Sequence, residues 1–242
     1  MAGVYSDEDL AALCDVLDPR VAGDDPCLPH VMAADSVLDV GRGTGALLHR
    51  ARREGHTGRL CGVDPDVTAL GRARTRRDVE WCQGRAEDMG FRGEFALASM
   101  AGNVFQQFVT DAAQHAALTA VRTALREDGR LVFGTRDPRA RAWERWTPDH
   151  ATEVVDHHGR ALRVEHRVES VEGGVVTLTE TIADRDGAPV RVDRGVLRFT
   201  GVEEIDRLLT ATGFRVHARF GDGGRGPLTD ASREIVTVAR PV

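Results

Sequence analysis

"SVLDVGRGTGALLHRA" (36–51) decides how the rest of the chain is read. Five residues suited to a buried parallel strand, 36–40, run straight into glycines at 41, 43 and 45 and then into a helix over 46–53. A tight strand-to-helix turn of this kind points backbone N–H groups and the positive end of the helix at a ligand beyond the carboxyl edge of the strand. Glycine is expected there because a Cβ would hold the ligand away. The stretch satisfies two patterns at once, the dinucleotide fingerprint G-x-G-x-x-A over 41–46 and the tighter D-x-G-x-G-x-G over 39–45. By itself it does not choose between them.

Outward from this turn the elements alternate. Strands are predicted over 58–64, 79–83, 94–100 and 130–135, with helices over 66–76 and from Thr110 or Asp111 to the "EDG" of 127–129. Continuous apolar strands alternating with helices imply a parallel sheet covered on both faces. Upstream, Leu10, Leu13 and Leu17 repeat at helical spacing behind Ser6, and Pro26 with Pro29 breaks the connection to the first strand. Beyond 136 the period changes from helical to two. The segments 161–170, 175–182 and 194–199 form an antiparallel meander around "EGG" and "DRDG". "TGVE" (200–203) reads as a capping box, followed by Ile205, Leu208 and Leu209 on one helix face ended by Gly213. Strands 214–220 and 234–240 close the chain as an antiparallel pair at one sheet edge.

Composition removes several kinds of chemistry. All 32 basic residues are arginine, so there is no P-loop lysine, no Schiff-base lysine and no tyrosine–lysine dehydrogenase pair. This bias, with one asparagine and three isoleucines, points to a GC-rich, bacterial coding sequence. A net charge of −6 argues against a nucleic-acid surface, and the basic run "RARTRR" (72–77) reads as a solvated helix face. Cys14, Cys27, Cys61 and Cys82 lack zinc-site spacing and read as reduced thiols. No signal segment or membrane span is expected, which places the protein in the cytoplasm.

Asp64, at the end of the second strand, would accept ribose hydroxyls of either cofactor class. Asp39 discriminates more, because a carboxylate beside the turn suits an ammonium-bearing cofactor and not a pyrophosphate. Together "VLDVGRGTG", "GVD" (62–64), "QGRAEDM" (83–89), "LRFTGVEEIDRLLTATGF" (197–214) and the closing strand pair resemble the class I S-adenosylmethionine-dependent methyltransferases. The likeness covers about 36–135 and 197–240 and extends weakly to "VYSDEDLAALCD" (4–15), similar to that family's N-terminal lid. It implies an α/β, Rossmann-like fold: a seven-stranded, mostly parallel sheet with an antiparallel C-terminal strand, plus the inserted antiparallel β lid. It implies S-adenosyl-L-methionine as cofactor and S-adenosyl-L-homocysteine as product. Asp39, Gly41, Arg42, Gly43 and Gly45 would then border the methionine half, Asp64 the ribose and Pro65 the adenine. Ala86 and Glu87 would meet the adenine edge, and Met100 would set its backbone under the sulfonium. Cys14 stands where many relatives have tyrosine, Arg85 where many have aspartate, and Arg42 replaces a small residue.

Methyl transfer needs alignment more than a fixed set of catalytic groups. Asn103 is a left-handed turn residue or hydrogen-bonds the substrate or the cofactor's amino-acid end; Arg136 is a surface ion-pair residue or a bidentate clamp for a substrate carboxylate; Tyr5 folds over the cofactor from the lid. Trp143 and Trp146 would share a helix face. His30 near the mouth is a minor candidate base. Asp156, His150, His157, His158 and His166 superficially form a metal set, but "DHH" does not put two ligands on one helix or strand face, and no metal is expected. Residues 1–30 are expected as a helical lid, 31–140 with 197–242 as the cofactor-binding core and 141–196 as a substrate lid, all one globular unit. The expected function is methylation of nitrogen or oxygen on a small metabolite, in natural-product biosynthesis, with the insert also offering a homodimer surface. An NAD(P)-dependent oxidoreductase and a non-methylating S-adenosylmethionine-binding protein are the alternatives.

Overall fold

A computed structural model describes residues 5–17, 25–41 and 43–242. The run Ser36–Val40 is β1, buried along its whole length. It is followed by β2 (Arg59–Asp64), β3 (Glu80–Gln83), β4 (Phe95–Met100) and β5 (Leu125–Arg136). The insert holds β6 (Thr152–Val155), β7 (Ala161–Glu172), β8 (Val175–Asp184) and β9 (Pro189–Arg198), and the chain closes with β10 (Phe214–Phe220) and β11 (Glu234–Pro241). Seven strands form one sheet in the order β10-β11-β5-β4-β1-β2-β3; β6 to β9 form a second, antiparallel sheet in chain order. In the larger sheet β1 pairs in parallel with β2 and β4, while β11 runs antiparallel to both β5 and β10. The expected architecture is therefore the observed one.

β1 shows no polar–apolar alternation because both its faces are covered. Leu38 and Val40 pack with α5 (Asp111–Ala124) and α6 (Val202–Ala211), whereas Val37 packs with α2 (Leu28–Met32) and α3 (Ala46–Arg53) on the opposite face. The remaining helices are α1 (Asp7–Leu17) and α4 (Val67–Ala73). Thr110 caps α5 by accepting from Ala113 N–H at 3.1 Å. Asp66 does the same for α4 through Thr68 and Ala69, so α4 begins as expected but ends three residues early.

Several local expectations are corrected. Pro26 and Pro29 do not simply break the chain, since Pro29 sits in the first turn of α2, where a missing N–H costs nothing. "EDG" does not separate helix from strand: β5 begins directly after α5, and residues 126–129 bulge out between the pairs Phe95–Leu125 and Leu97–Arg130. The capping box does not form. Gly201 is the N-cap of α6, and the buried Thr200 hydroxyl instead accepts from the Gln114 side-chain amide on α5 at 2.9 Å. Trp143 and Trp146 lie in short 3-10 turns, not on one helix face, and both rings pack against Phe199. β6 has no clear sequence signal, and β9 starts at Pro189, five residues before the expected position. Arg198, ending β9, ties the smaller sheet to the larger through Asp111 on α5 (2.5 Å) and Glu204 on α6. Among the described residues no helix is long and apolar enough to cross a membrane.

Candidate functional site

The turn after β1 is shaped by its glycines. Gly41, Gly43 and Gly45 have φ of 72°, 37° and 77°, the left-handed range that side chains resist. Neighbouring side chains supply a second reason. A Cβ on Gly41 would overlap Val104, one on Gly45 would overlap the Trp81 ring, and one on Gly43 would lie 3.2 Å from Ala69. Packing of the protein on itself, more than approach of a ligand, thus excludes side chains at the first and third positions. Gly41 N–H donates to the Val63 carbonyl at 2.8 Å, which locks the turn to β2.

In front of the turn lies a cavity of about 710 Å³. Val40, Gly41, Gly43, Val63 and Asp64 form its floor at the carboxyl ends of β1 and β2; Leu10, Ala11, Cys14 and Asp15 of α1 form its roof. Pro65, Ala86 and Glu87 line one side, while Gly102, Val104, Gln107 and Phe108 line another, and Arg191 reaches in from β9. This is the crevice outside the strand ends where open α/β sheets bind ligands.

The acids are held in distinct ways. Asp64 accepts from Gly43 N–H (2.6 Å) through one carboxylate oxygen and from Asp66 N–H (2.8 Å) through the other. Each oxygen has a second lone pair available. Asp39 is fully buried beneath the turn and accepts from the Ser99 hydroxyl at 2.7 Å. Arg85 binds Glu87 at 2.6 Å and holds that carboxyl below its usual range.

The roof is fastened from both ends. Asp15 accepts from the Thr44 hydroxyl (2.5 Å) in the glycine turn and from Arg72 (3.2 Å) on α4. Asp7 pairs with Arg191 at 2.7 Å, and Arg191 also binds Asp193. Asp9 accepts from the backbone N–H of Ser6, which pulls its carboxyl down to about 2, and pairs with Arg160 and His158. Tyr5, Leu13, Leu162, Val164 and Ile182 make the apolar seam between α1 and the smaller sheet.

The sequence-predicted residues therefore divide. Gly41, Gly43, Asp64, Pro65, Ala86 and Glu87 converge on the cavity. Gly45 packs on Trp81 outside the lining, and Asp39 and Met100 are buried beneath it. Arg42 lies outside the described residues. Asn103 takes the left-handed turn conformation (φ 61°), buried between two lining residues, Gly102 and Val104. Arg136 donates to the Gln106 side-chain oxygen at 3.1 Å and lies over the Trp146 ring, off the lining. Tyr5 is 2% exposed in the seam, with Arg160 over its ring, and does not face the cavity. His30 is also elsewhere: it sits beside Arg225, and burial pushes its pKa down to about 4. His150 contacts Thr147 and His166 pairs with Glu180, so the five-residue metal set is dispersed. Sequence reasoning missed Asp15, Gln107, Phe108 and Arg191. Asp15 alone carried a signal, lying one helical turn after Ala11 on the same face of the lid helix.

Residues 37–129 match a family model described as a methyltransferase domain. No curated protein sequence matches the chain. Among solved structures, the CcbJ methyltransferase from Streptomyces caelestis is similar at 19% identity and a TM-score of 0.77, covering 100% of this chain and 99% of its own. The sugar N-methyltransferase KedS8 from Streptoalloteichus follows at 20% identity and 0.70, covering 99% and 94%. S-adenosylmethionine-bound CalS10, an amino pentose methyltransferase of calicheamicin biosynthesis from Micromonospora echinaspora, is similar at 23% and 0.63, covering 98% and 92%.

Proposed function

We propose that this chain, whose residues 37–129 match a methyltransferase-domain model, is a class I S-adenosylmethionine-dependent methyltransferase that moves a methyl group from S-adenosyl-L-methionine to a nitrogen or oxygen of a small metabolite. The observation that carries the proposal is the roofed cavity at the ends of β1 and β2, with Asp64 and two bare glycines on its floor. These residues fit the cofactor. The spare lone pairs of Asp64 suit a vicinal diol, Pro65 and Ala86 offer apolar contact to a purine, and Glu87 offers an acceptor to its edge. The buried Asp39 carboxylate under the turn favours a cationic group above it.

When bound, the cofactor would supply a methyl on positively charged sulfur to an acceptor lone pair, with S-adenosyl-L-homocysteine as the leaving group and the acceptor's proton released to solvent. The chain's own work is alignment and exclusion of water, which the α1 roof and Arg191 support. Asn103, flanked by lining residues, is assigned to positioning the acceptor. Met100 supports the floor from below, Arg136 the Trp146 platform, and Tyr5 the lid seam. In this scheme 31–140 with 197–242 hold the donor, and 1–30 with 141–196 close over the acceptor.

Among the described residues that line the cavity, carboxylates outnumber guanidiniums, with Asp7, Asp15, Asp64, Asp66 and Glu87 against Arg85 and Arg191. That balance favours an acceptor bearing an amine, and the fold shared with a sugar N-methyltransferase and an amino pentose methyltransferase supports an amino sugar of a bacterial natural product. Calorimetry with S-adenosylmethionine and with NAD(H), followed by transfer of labelled methyl to a panel of nucleotide-linked amino and hydroxy sugars, tests this. We expect binding of the first cofactor alone and label on an amino sugar. Tight NAD(H) binding in its place would overturn the assignment, and cofactor binding with no labelled product across the panel would favour a non-methylating role.

A further inference from the structure

Away from the cavity, a second cluster joins α1 to the smaller sheet. His157 and His158 sit in the turn between β6 and β7, not on a strand, so the rule that neighbours face opposite ways does not apply to them. Both imidazoles reach the Asp9 carboxylate. Nε2 of His158 lies 3.0 Å and Nε2 of His157 lies 3.7 Å from the same oxygen, Oδ1. One ligand atom from each of the three residues falls within 4.8 Å of the others. Two donors bound to zinc at ~2.0–2.1 Å in tetrahedral geometry stand roughly 3.3 Å apart. The two N···O separations bracket that value; the imidazole rings, now packed with centroids 3.8 Å apart, part by rotation of two exposed side chains to complete a three-ligand set, with solvent in the remaining position.

The Asp9 carboxylate and the turn that carries the imidazoles are held from outside the cluster. Asp156, buried below the turn, accepts from the backbone N–H of His158 (2.9 Å) and Arg160 (2.8 Å) and from Arg160 Nε (2.7 Å), which fixes the turn. Gly159, at φ 78°, completes it. On α1, Ser6 occupies the other Asp9 oxygen, Oδ2, with its N–H (3.0 Å) and its hydroxyl (2.9 Å), which leaves Oδ1 directed at the imidazoles. Outer bonds of this kind set ligand direction in metal sites. Arg160, 3.3 Å from Oδ1, is the competing cation. Its presence sets the affinity below that of a closed four-ligand zinc site.

We propose that Asp9, His157 and His158 bind a divalent transition metal of the zinc, cobalt and nickel class, which clasps α1 to the smaller sheet. Imidazole and carboxylate donors suit that class and not calcium or magnesium. The same helix supplies the cavity roof through Leu10, Ala11, Cys14 and Asp15, so an occupied clasp slows ligand exchange without touching the cavity. Metal binding here does not depend on the methyl-transfer reading.

The test uses the full chain, stripped with a chelator and titrated with Co(II) and then Zn(II). One equivalent of Co(II) should bind with ligand-field absorption of low-coordinate character, be displaced by Zn(II), and slow amide exchange across α1. His157→Ala and His158→Ala, both at exposed positions, should each weaken Zn(II) binding at least about tenfold, since even outer-shell losses cost that much. The double variant should abolish it, and Cys14→Ser should leave it unchanged. Absence of stoichiometric binding, binding that survives in the double variant, or loss of binding in Cys14→Ser would each overturn the proposal.

Discussion

The glycine turn and helix α1 bound the same cavity from opposite sides, and they are held by different forces. The turn is fixed by backbone conformation and buried contact: positive φ at three glycines, the Val104 and Trp81 side chains where a Cβ would go, and a main-chain bond from Gly41 to Val63. The roof is fixed by an apolar seam and by ion pairs at its rim, chiefly Asp15 with Arg72, Asp7 with Arg191 and Asp9 with Arg160. Contacts of the first kind cannot be loosened a little, because close-packed interiors do not deform smoothly. Rim ion pairs are individually weak and screened by salt, so the roof can open while the floor stays rigid.

The strongest challenge to this contrast is Gly45→Ala. It places a Cβ into the Trp81 ring at a residue with φ 77°, combining backbone strain with overpacking. A loss of roughly 2–6 kcal/mol in unfolding free energy is expected, read from urea denaturation. Gly43→Ala, where the nearest atom is Ala69 Cβ at 3.2 Å, should cost less. If both were near neutral, the floor would be as compliant as the roof and the contrast would fail.

Next in size is Asp64→Ala. It removes a carboxylate that holds Gly43 N–H and Asp66 N–H and that we assign to the ribose hydroxyls. Losing charged hydrogen bonds should weaken S-adenosylmethionine by about 1.5–3 kcal/mol in calorimetry, with Asp64→Asn recovering part of it. Unchanged affinity would move the cofactor away from this edge of the sheet.

On the roof, Asp15→Ala breaks the links to Thr44 and Arg72. Exposed pairs contribute about 0–1 kcal/mol, so global stability should hardly change. Amide exchange in α1 and dissociation of S-adenosylmethionine should instead rise by up to about fivefold, most clearly at low salt. An effect on unfolding as large as that of Gly45→Ala would show that the roof is part of the rigid core.

The same contrast explains what the sequence made legible. A buried parallel strand, alternate glycines and a following helix are local patterns, so β1, its turn and α3 could be read from sixteen consecutive residues, and the sheet followed from repetition. Gly41, Gly43, Asp64, Pro65, Ala86 and Glu87 were reachable because they sit at the ends of those elements. Arg191 was not, because its approach depends on how a distant strand folds over the sheet, and pairs such as Asp7–Arg191, 184 residues apart, leave no periodicity. Thr200 and Gly45 show the opposite failure. Each has the residue type a local motif demands, yet its contact is tertiary, with Gln114 in one case and Trp81 in the other. The histidine turn was read with a face rule valid for strands, yet its residues lie between strands, where both imidazoles reach Asp9.

The smallest effect at neutral pH concerns Tyr5, the sole tyrosine of the chain, which lies in the seam beneath the roof. Burial, reinforced by the nearby Asp156 and Asp9 carboxylates, raises its phenol from 10.0 to about 12. Below pH 10.0 the phenol is protonated in both folded and unfolded chains, so stability there is unaffected. As pH rises from 10.0 toward about 12 the unfolded chain releases this proton first, and stability must fall across that window. Because no other tyrosine absorbs, phenolate absorbance reports the seam directly. The Arg160 guanidinium favours the phenolate, so Arg160→Gln should move the midpoint still higher. Asp15→Ala, by letting water reach the seam, should move it back toward 10.0. A native midpoint already near 10.0 would mean that α1 does not seal the seam, and the roof would then be held by its rim charges alone.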